Sequence, residues 1–577
     1  MKNLIIIFIC SIIYVTSSSC ERMFGDFLEK GPGVDVTEDT IFAAKVYMDR
    51  LVNQTYLKGL HSPFPRLEFG ANDGWEGAAT DEGECVTYGY KTNGWNTGSV
   101  TPQSNMDTRL DIRYIAIRQA NIVLDRINGV PDADEAYKKR VTAEMKLLRT
   151  MCNFESFKYY GGIPILKKRF LITDNMKVPR NTLEETVNAM ITDLNEAIPD
   201  LPDVVISIEK GRATKGAALA AKAKILLYAA SPLFNTGTPY MDLPGHNDLI
   251  CYGNYDINRW KKAADAAKAV LDWAPAGGVA LITDKGVEHN YEFATLARDN
   301  SEIIWESKKS GAARYNGGGT IWNSGLPPGI YAGVGGVTVS QNFVQLYEKT
   351  DGTNQTWDMV NGGDDLNQKY VNLDPRFKQT MVYNGSRWNA DYPAVEIFQG
   401  GAQSSDCYGG YWMKKMIPTE EMTYAHPAAM PNGIIFRFAE VYLTYAEALN
   451  EAQGPVQEAY DAVNAIRNRS GMPDFPTGLT QSQFRARIWN ERAIELFNEE
   501  HRLWDLRRWL AAESKTYGGM NGPLWGIKVT KIPGTTPQEF KYEPRFIEDR
   551  TFLRRMYLCP WPTNEILKGY LIQNPGY

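Results

Sequence analysis

Two stretches of the sequence place aromatic rings, amides and carboxylates within a few residues of one another. The first holds Asn72, Asp73, Trp75, Tyr88, Tyr90, Asn93, Trp95 and Asn96, and the second holds Tyr315, Asn316, Trp322, Asn323 and Tyr331, followed by four residues containing three glycines, 333–336. Flat rings can stack on the apolar face of a sugar, while amides and carboxylates bind its hydroxyls. These residue types indicate ligand capture and suit a carbohydrate.

Residue patterns typical of catalytic sites are harder to find. The five histidines, at positions 61, 246, 289, 426 and 501, are scattered without the spacing of a zinc site. The sequence contains no nucleophile elbow, P-loop or dinucleotide fingerprint. We expect no catalytic residue and no metal ligand, although 68 acidic residues leave room for the two carboxylates of a glycoside hydrolase. A helical-repeat scaffold that binds only protein is the other alternative.

Charged residues cluster near the C-terminal end of the sequence and invite a catalytic interpretation. They are Glu491, Arg492, Glu495, Glu499, Arg502, Asp505, Arg507 and Arg508. Their helical spacing favours ion pairs instead, and the same holds for Arg437 with Glu440 and for Arg467 with Arg469. Calcium could bind near Asp364 and Asp365, but a solvated turn is the plainer interpretation, so we expect no cofactor.

Helical periodicity dominates wherever the sequence is not rich in glycine and asparagine. It predicts helices over 107–127 and 135–160, the second ending at Gly161. Two further helix pairs share one design, in which a tyrosine-bearing helix precedes an alanine-rich one: 212–231 with 259–272, and 436–452 with 456–471. Small side chains allow the close backbone approach that tetratricopeptide-type repeats require.

The organisation of the chain follows from where this periodicity fails. Residues 55–104 and 281–431 are weak in helical period, and we expect loops, short strands and short helices there. Helical segments resume after Asn432 with the same character. The sequence therefore predicts a single domain, with a helical scaffold over about 30–280 and 432–577 and a loop-rich lobe over about 281–431.

Bulk composition limits the partners and the chemistry of the cysteines. A net charge of −6 over 577 residues gives no broad basic field, so we expect no nucleic acid partner. Apart from Cys10 and Cys20, the cysteines are an odd set of five without a C-x-x-C motif: Cys85, Cys152, Cys251, Cys407 and Cys559. The sequence predicts no disulfide framework.

The N-terminal residues have the pattern of an export signal. Lys2 precedes an apolar run from Leu4 to Val15, which is too short for the ~20 residues of a membrane-spanning helix. Small residues then lead to Cys20, as in a bacterial lipobox, although Ser17 stands where leucine is usual. We predict a lipoprotein signal peptide over 1–19 and lipidation of Cys20; cleavage after Ser19 by an ordinary signal peptidase is the alternative.

A series of short motifs occurs in one order along almost the whole sequence. It comprises 25–29 (GDFLE), 117–121 (IRQAN), 160–164 (YGGIP), 178–180 (VPR), 211–218 (GRATKGAA), 301–305 (SEIIW), 374–377 (DPRF), 437–443 (RFAEVYL), 464–471 (NAIRNRSG), 491–496 (ERAIEL) and 573–577 (QNPGY). In content and order the series resembles the SusD/RagB family.

The resemblance implies a mainly α fold, the SusD-like fold, with four tetratricopeptide-type helix pairs and an irregular ligand-binding lobe. It also implies a lipid-anchored receptor on the outer membrane that passes glycans, or peptides in a minority of members, to a SusC-like TonB-dependent transporter without catalysis. By position along the family pattern, the expected ligand-binding residues are Asp73, Trp75, Trp95, Tyr315, Trp322, Tyr331 and Tyr411.

Overall fold

The structure is a computed structural model. It describes residues 37–60, 75–85, 92–308, 326–331, 333, 335–357, 370–421, 431–515 and 519–577. The predicted site residues Asp73, Tyr315 and Trp322, the anchor candidate Cys20 and the calcium candidates Asp364 and Asp365 lie outside these ranges.

Helices make up most of the regular structure in the described ranges. They are α1 (Glu38–Phe42), α2 (Lys45–Gly59), α3 (Thr92–Asn96), α4 (Leu110–Arg126), α5 (Glu135–Tyr160), α6 (Leu183–Ala197), α7 (Lys215–Ala230), α8 (Asn258–Gly277), α9 (Asn290–Leu296), α10 (Gln341–Val344), α11 (Arg376–Thr380), α12 (Phe438–Gln453), α13 (Gln457–Arg469), α14 (Gln481–Glu495), α15 (Arg502–Arg508) and α16 (Thr563–Ile566).

The strands are fewer and mostly short. They are β1 (Gly83–Cys85), β2 (Ile303–Ser307), β3 (Val337–Val339), β4 (Met381–Val382), β5 (Tyr411–Met413), β6 (Gly433–Arg437), β7 (Gly522–Lys531) and β8 (Phe540–Arg550). The predicted fold class, mainly α, is confirmed.

The longest helix, α5, has clear local signals at both ends. The side chain of Asp134 accepts a hydrogen bond from the backbone N–H of Tyr137 at 2.7 Å, which caps the first turn. Gly161 ends the helix at φ 78°, a conformation that glycine adopts without strain. The predicted end of this helix is confirmed.

Residues from the C-terminal part of the sequence close the end of α5. The amide of Asn574 donates to the backbone oxygens of Tyr160 and Cys559, at 3.2 and 2.7 Å. The ring of Tyr160 stacks on Trp561 with a centroid distance of 4.1 Å, and Arg180 donates to the Tyr160 oxygen at 2.8 Å. Carbonyls that the helix cannot satisfy internally are thereby paired.

The two predicted helix pairs pack as expected, α7 with α8 and α12 with α13, and α8 also packs against α12. Close approach depends on small residues. A Cβ atom on Gly216 of α7 would lie 2.1 Å from the ring of Trp273 of α8, so only glycine fits there without a shift. The alanine-rich pattern therefore identified real helix contacts.

The lobe is organised by two small antiparallel sheets. One has the strand order β1, β3, β5, β4, and so joins a strand from the first irregular stretch to strands of the second. The other pairs β2 with β6 and brings the start of the lobe, near Ile303, beside its end, near Arg437. The chain therefore leaves the scaffold and returns to it at neighbouring positions.

A long β-hairpin lies within the segment that was expected to be helical. β7 and β8 pair antiparallel over nearly their whole lengths. The helical scaffold expected over about 432–577 is interrupted here by a pair of strands. In β7 the buried Ile527 and Val529 flank the exposed Lys528, which is the alternation of a strand, and a register shift lies between Leu524 and Trp525.

The five cysteines in the described ranges are free, in agreement with the predicted lack of a disulfide framework, and all five are buried. Across the described ranges, no helix combines the length and the apolar character needed to cross a membrane.

Candidate functional site

Four polar and aromatic residues of the lobe form the candidate site, here called the Tyr331 cluster: Tyr331, Asn389, Asp391 and Tyr392. The Tyr331 hydroxyl accepts a hydrogen bond from Asn389 Nδ2 at 2.7 Å and donates to Asp391 Oδ2 at 3.3 Å. The backbone N–H of Tyr331 lies 3.4 Å from the Tyr392 hydroxyl. The predicted site residue Tyr331 is therefore tied to three residues that follow it by about 60 positions.

The cluster presents a ring and a carboxylate at its surface. The rings of Tyr331 and Tyr392 meet edge to face, with centroids 5.5 Å apart and an interplanar angle of 89°. Tyr392 is half-buried and Asp391 is exposed, whereas only 8% of the Tyr331 surface is exposed. A sugar could stack on the outer ring and bind the carboxylate through its hydroxyls.

Asn389 holds the cluster together. Its Oδ1 accepts hydrogen bonds from the backbone N–H groups of Asp391, at 3.0 Å, and Tyr392, at 3.2 Å. Its Nδ2 also donates to the Thr419 oxygen at 3.0 Å. Because Asn389 is buried, these bonds fix the turn on which the exposed groups stand. The arrangement is formed before any ligand arrives.

The sequence analysis did not single out Asn389, Asp391 or Tyr392. The signal was present, because residues 388–392 (WNADY) combine an aromatic ring, an amide and a carboxylate as the two predicted loops do. The contact with Tyr331 could not be inferred, since it depends on how the lobe folds.

Trp75 is a packing residue in this structure. Only 5% of its surface is exposed, its indole N–H donates to Asn498 Oδ1 at 2.9 Å, and its ring meets Phe497 edge-on at 6.2 Å. A Cβ atom on Gly77 would lie 2.2 Å from the same ring. With so little of its surface exposed, the Trp75 ring offers no platform for a ligand here.

Trp95 and Tyr411 are also in the core. Trp95 is 4% exposed and lies beneath the guanidinium of Arg507, 4.8 Å from the ring centroid. The buried Tyr411 hydroxyl donates to Gln341 Oε1 at 2.6 Å and lies 2.8 Å from the Tyr370 hydroxyl. The structure gives these two residues packing roles instead of the expected ligand contacts, because aromatic rings serve the core as readily as a site.

Of the eight charged residues predicted to form ion pairs at 491–508, seven do so in the described ranges, mostly between elements and not along one helix, whereas Arg507 donates to the Tyr557 oxygen. Glu491, Glu495 and Glu499 belong to what we call the ionic core, together with Glu302, Arg376, Lys415, Arg437, Arg467 and Arg469. Arg437 contacts Glu302 at 3.1 Å and Glu495 at 2.6 Å. The ionic core joins the scaffold helices to the lobe.

Partner charges set the electrostatics of the ionic core. Burial alone would raise the pKa of Glu495, but the guanidiniums of Arg469, Arg437 and Arg376 hold the pKa of that carboxyl well below its usual range. Burial lowers the pKa of Lys415 to about 8 despite its contact with Glu499. These carboxylates are already bound to cations, which supports the interpretation of the ionic core as structural ion pairs and not as a catalytic site.

Within the described ranges, no group of three or more His, Cys, Asp or Glu side chains is arranged to hold a metal ion.

The structure is a helical scaffold that carries a loop-rich lobe with a preformed polar and aromatic cluster. Comparison with known proteins identifies the family that has this architecture. A model described as the SusD family matches residues 301–577, and one described as starch-binding and associating with the outer membrane matches 26–227. The chain belongs to the SusD/RagB family.

Individual relatives agree. A SusD-like protein of Formosa agariphila is 26% identical over 435 residues, which cover 71% of each chain. The crystal structure of a SusD-like protein from Bacteroides fragilis is similar with a TM-score of 0.76 and 27% identity, covering 95% of this chain and 100% of that one. A SusD-like carbohydrate-binding protein from the same species has a TM-score of 0.68 at 20% identity, covering 92% of this chain and 99% of that one, a likeness of fold.

Proposed function

We propose that this protein is a cell-surface receptor that binds an oligosaccharide or polysaccharide and passes it to a SusC-like TonB-dependent transporter in the outer membrane. The observation that carries the proposal is family membership over 26–227 and 301–577, one matching model being described as starch-binding and associating with the outer membrane. The lipid anchor at Cys20 belongs to the same proposal.

The chemistry of the Tyr331 cluster supports a glycan as the ligand. Tyr392 supplies a half-buried ring and Asp391 supplies acceptors for hydroxyl groups, on a turn that is already fixed by Asn389. Preorganised polar groups reduce the entropy lost on binding. We propose that Asp73, Tyr315 and Trp322 complete the binding surface.

Binding without hydrolysis is part of the proposal. A glycosidase requires a protonated carboxyl group that reaches the scissile oxygen. Burial raises the pKa of Glu82 and of Glu84 to about 8, but both side chains lie in the interior, and Glu84 contacts Arg550 at 2.6 Å. These two carboxyl groups are therefore closed to a polysaccharide.

The test is a glycan panel, measured by calorimetry and affinity gels, on the soluble form that starts after Cys20. Starch, laminarin and polygalacturonate serve as probes, and the release of reducing ends is followed throughout. Tyr392→Ala and Trp322→Ala are compared with Tyr255→Ala, which removes a ring that is 61% exposed on the helical scaffold.

We expect binding to at least one glycan, weakened by Tyr392→Ala or Trp322→Ala and unchanged by Tyr255→Ala, with no release of reducing ends. Sugar release would overturn the non-catalytic proposal. Failure to bind any polysaccharide would contradict a glycan receptor and favour peptides as the ligand.

A further inference from the structure

A second cleft contains none of the predicted site residues. It lies between α14 and the residues that follow β3, has a volume of about 540 Å³, and is lined by amide side chains, among them Asn342, Gln345, Asn354, Gln355 and Asn490. A smaller cavity of about 180 Å³, which Trp525 lines, shares Asn342 and Lys515 with it. The two cavities adjoin at these shared residues and are together called the amide groove.

Two half-buried rings, Trp489 and Trp525, line the amide groove in fixed orientations. The buried Trp509 backs Trp489, with ring centroids 4.3 Å apart and an angle of 12°. At the other end, the half-buried Trp525 packs edge-on against Phe546 at 5.6 Å, and its backbone N–H donates to Asn342 Oδ1 at 2.7 Å. Fixed rings suit a ligand with flat apolar faces.

The amides of the groove are oriented by the backbone. Asn490 donates from Nδ2 to the Leu346 oxygen at 3.0 Å, and Gln355 donates from Nε2 to the oxygens of Val344 and Tyr347, both at 2.8 Å. In Asn490 and Gln355 the NH₂ group is used in this way, which leaves the amide oxygen as an acceptor for a hydroxyl donor. The oxygens of Asn342 and Gln345 already accept hydrogen bonds from Trp525 and Gln341. An apolar ligand would bury the oxygens of Asn490 and Gln355 unpaired, which is unfavourable.

The charges of the groove are balanced except at one position. Arg502 binds Asp81 through two hydrogen bonds of 2.8 and 2.7 Å, and Arg487 contacts Glu348 at 3.1 Å. Lys515 is exposed and forms no ion pair within the ranges that the structure describes. The groove therefore carries an uncompensated positive charge at the junction of its two cavities.

We infer that the amide groove is a second saccharide-binding site, separate from the Tyr331 cluster, and that it takes a sugar bearing a carboxylate. The rings provide surfaces for sugar faces, the amide oxygens of Asn490 and Gln355 accept from hydroxyls, and Lys515 pairs with the acid group. This inference rests on the proposed glycan-binding function and adds a subsite and a charge preference to it.

The experiment uses fluorine NMR on the full soluble chain labelled with 5-fluorotryptophan. Trp525→Phe assigns the resonance of Trp525. The probes are oligogalacturonate and a neutral maltooligosaccharide of the same length. We expect oligogalacturonate to shift the Trp525 resonance, and Lys515→Gln to weaken its binding about tenfold, the scale of one charge-assisted contact.

A matched control is Lys528→Gln, which removes an exposed lysine on β7 outside the groove and should leave the affinity unchanged. If the chain binds starch or laminarin while oligogalacturonate leaves the Trp525 resonance unmoved, the second site is wrong and the proposed function survives. If Lys515→Gln and Lys528→Gln behave alike, the preference for an acidic sugar is wrong. If no glycan binds the chain anywhere, the proposed function itself fails.

Discussion

The ionic core and the Tyr331 cluster are both polar, but they use polar groups in opposite ways. In the ionic core, Arg376, Arg437 and Glu495 have side chains no more than 1% exposed, and each contacts more than one oppositely charged group. In the Tyr331 cluster, hydrogen bonds fix the backbone and leave Asp391 and Tyr392 facing solvent. Dense charge therefore marks the structural joint, which is the ionic core between the scaffold helices and the lobe. A few fixed groups at the surface mark the candidate site.

Physical chemistry explains this division. A buried charge loses its hydration, and only close partners in good geometry offset that loss, so every member of the ionic core depends on the others. A binding surface needs groups whose capacity for hydrogen bonds is still available. Catalysis by the ionic core would require carboxylates that are free to bind a substrate. These carboxylates already bind arginine and lysine side chains.

The largest effect is expected from Glu495→Ala. It would leave Arg437 and Arg469 without a central partner, and removing one member of a buried ion pair destabilises a protein by about 3–5 kcal/mol. The free energy of unfolding in urea measures this. The control is Asp272→Ala, which breaks an exposed pair with Lys268 and should leave the midpoint nearly unchanged. Equal midpoints for the two variants would show that the ionic core is not a structural joint.

Lowering the pH should weaken the ionic core. Partner cations hold the pKa values of Glu491, Glu495 and Glu499 below their ordinary 4.5, although burial opposes this. Because the folded-state pKa is the lower one, the stabilisation is complete above pH 4.5 and is lost as the pH falls below it. Urea midpoints measured across this range should fall steeply, and less steeply in Glu495→Gln. Parallel curves for the two proteins would contradict the assignment.

A smaller effect is expected at the candidate site. Tyr331→Phe removes the hydroxyl that joins Asn389 to Asp391, and should weaken glycan binding about fivefold, the equivalent of one hydrogen bond of ~1 kcal/mol. Tyr370→Phe is the matched control, since it removes a buried hydroxyl bonded to Tyr411 in the lobe core. Calorimetry should show reduced affinity for the first variant only; equal affinities would place the ligand elsewhere.

The smallest expected effect is on the reactivity of the cysteine thiols. Burial raises the pKa values of Cys85, Cys152 and Cys559 to about 12, so their thiols should not react with Ellman's reagent at pH 8 until the protein unfolds. Ser405→Cys, at an exposed position, should react at once. Rapid reaction of the native thiols would show that the interior is more open than the structure indicates.

Local signals in the sequence predicted the helices well. Asp134 and Gly161 are a cap and a stop that act within a few residues, and the alanine pattern of α8 reports its own buried face. The β7–β8 hairpin has no equally clear signal, because an irregularity between Leu524 and Trp525 interrupts the alternation of buried and exposed residues in β7.

The candidate site was only partly predictable. Tyr331 was among the predicted ligand-binding residues, but its partner Asn389 lies 58 positions away, and the contact of Arg437 with Glu302 spans 135 positions. The burial of Trp75, Trp95 and Tyr411 could not be inferred either, because a ring beside amides has the same sequence signature in a packed loop as in a binding loop.

The closure of α5 by Asn574 sets an order on folding. The Tyr160 oxygen and the Asn574 amide that binds it are 414 positions apart. During synthesis the N-terminal half of the scaffold is made long before that amide, so the C-terminal end of its longest helix lacks this hydrogen bond until residue 574 has been added. A chain interrupted before that point would expose the ring of Tyr160 where Trp561 should cover it, a feature by which quality control could distinguish unfinished chains from finished ones.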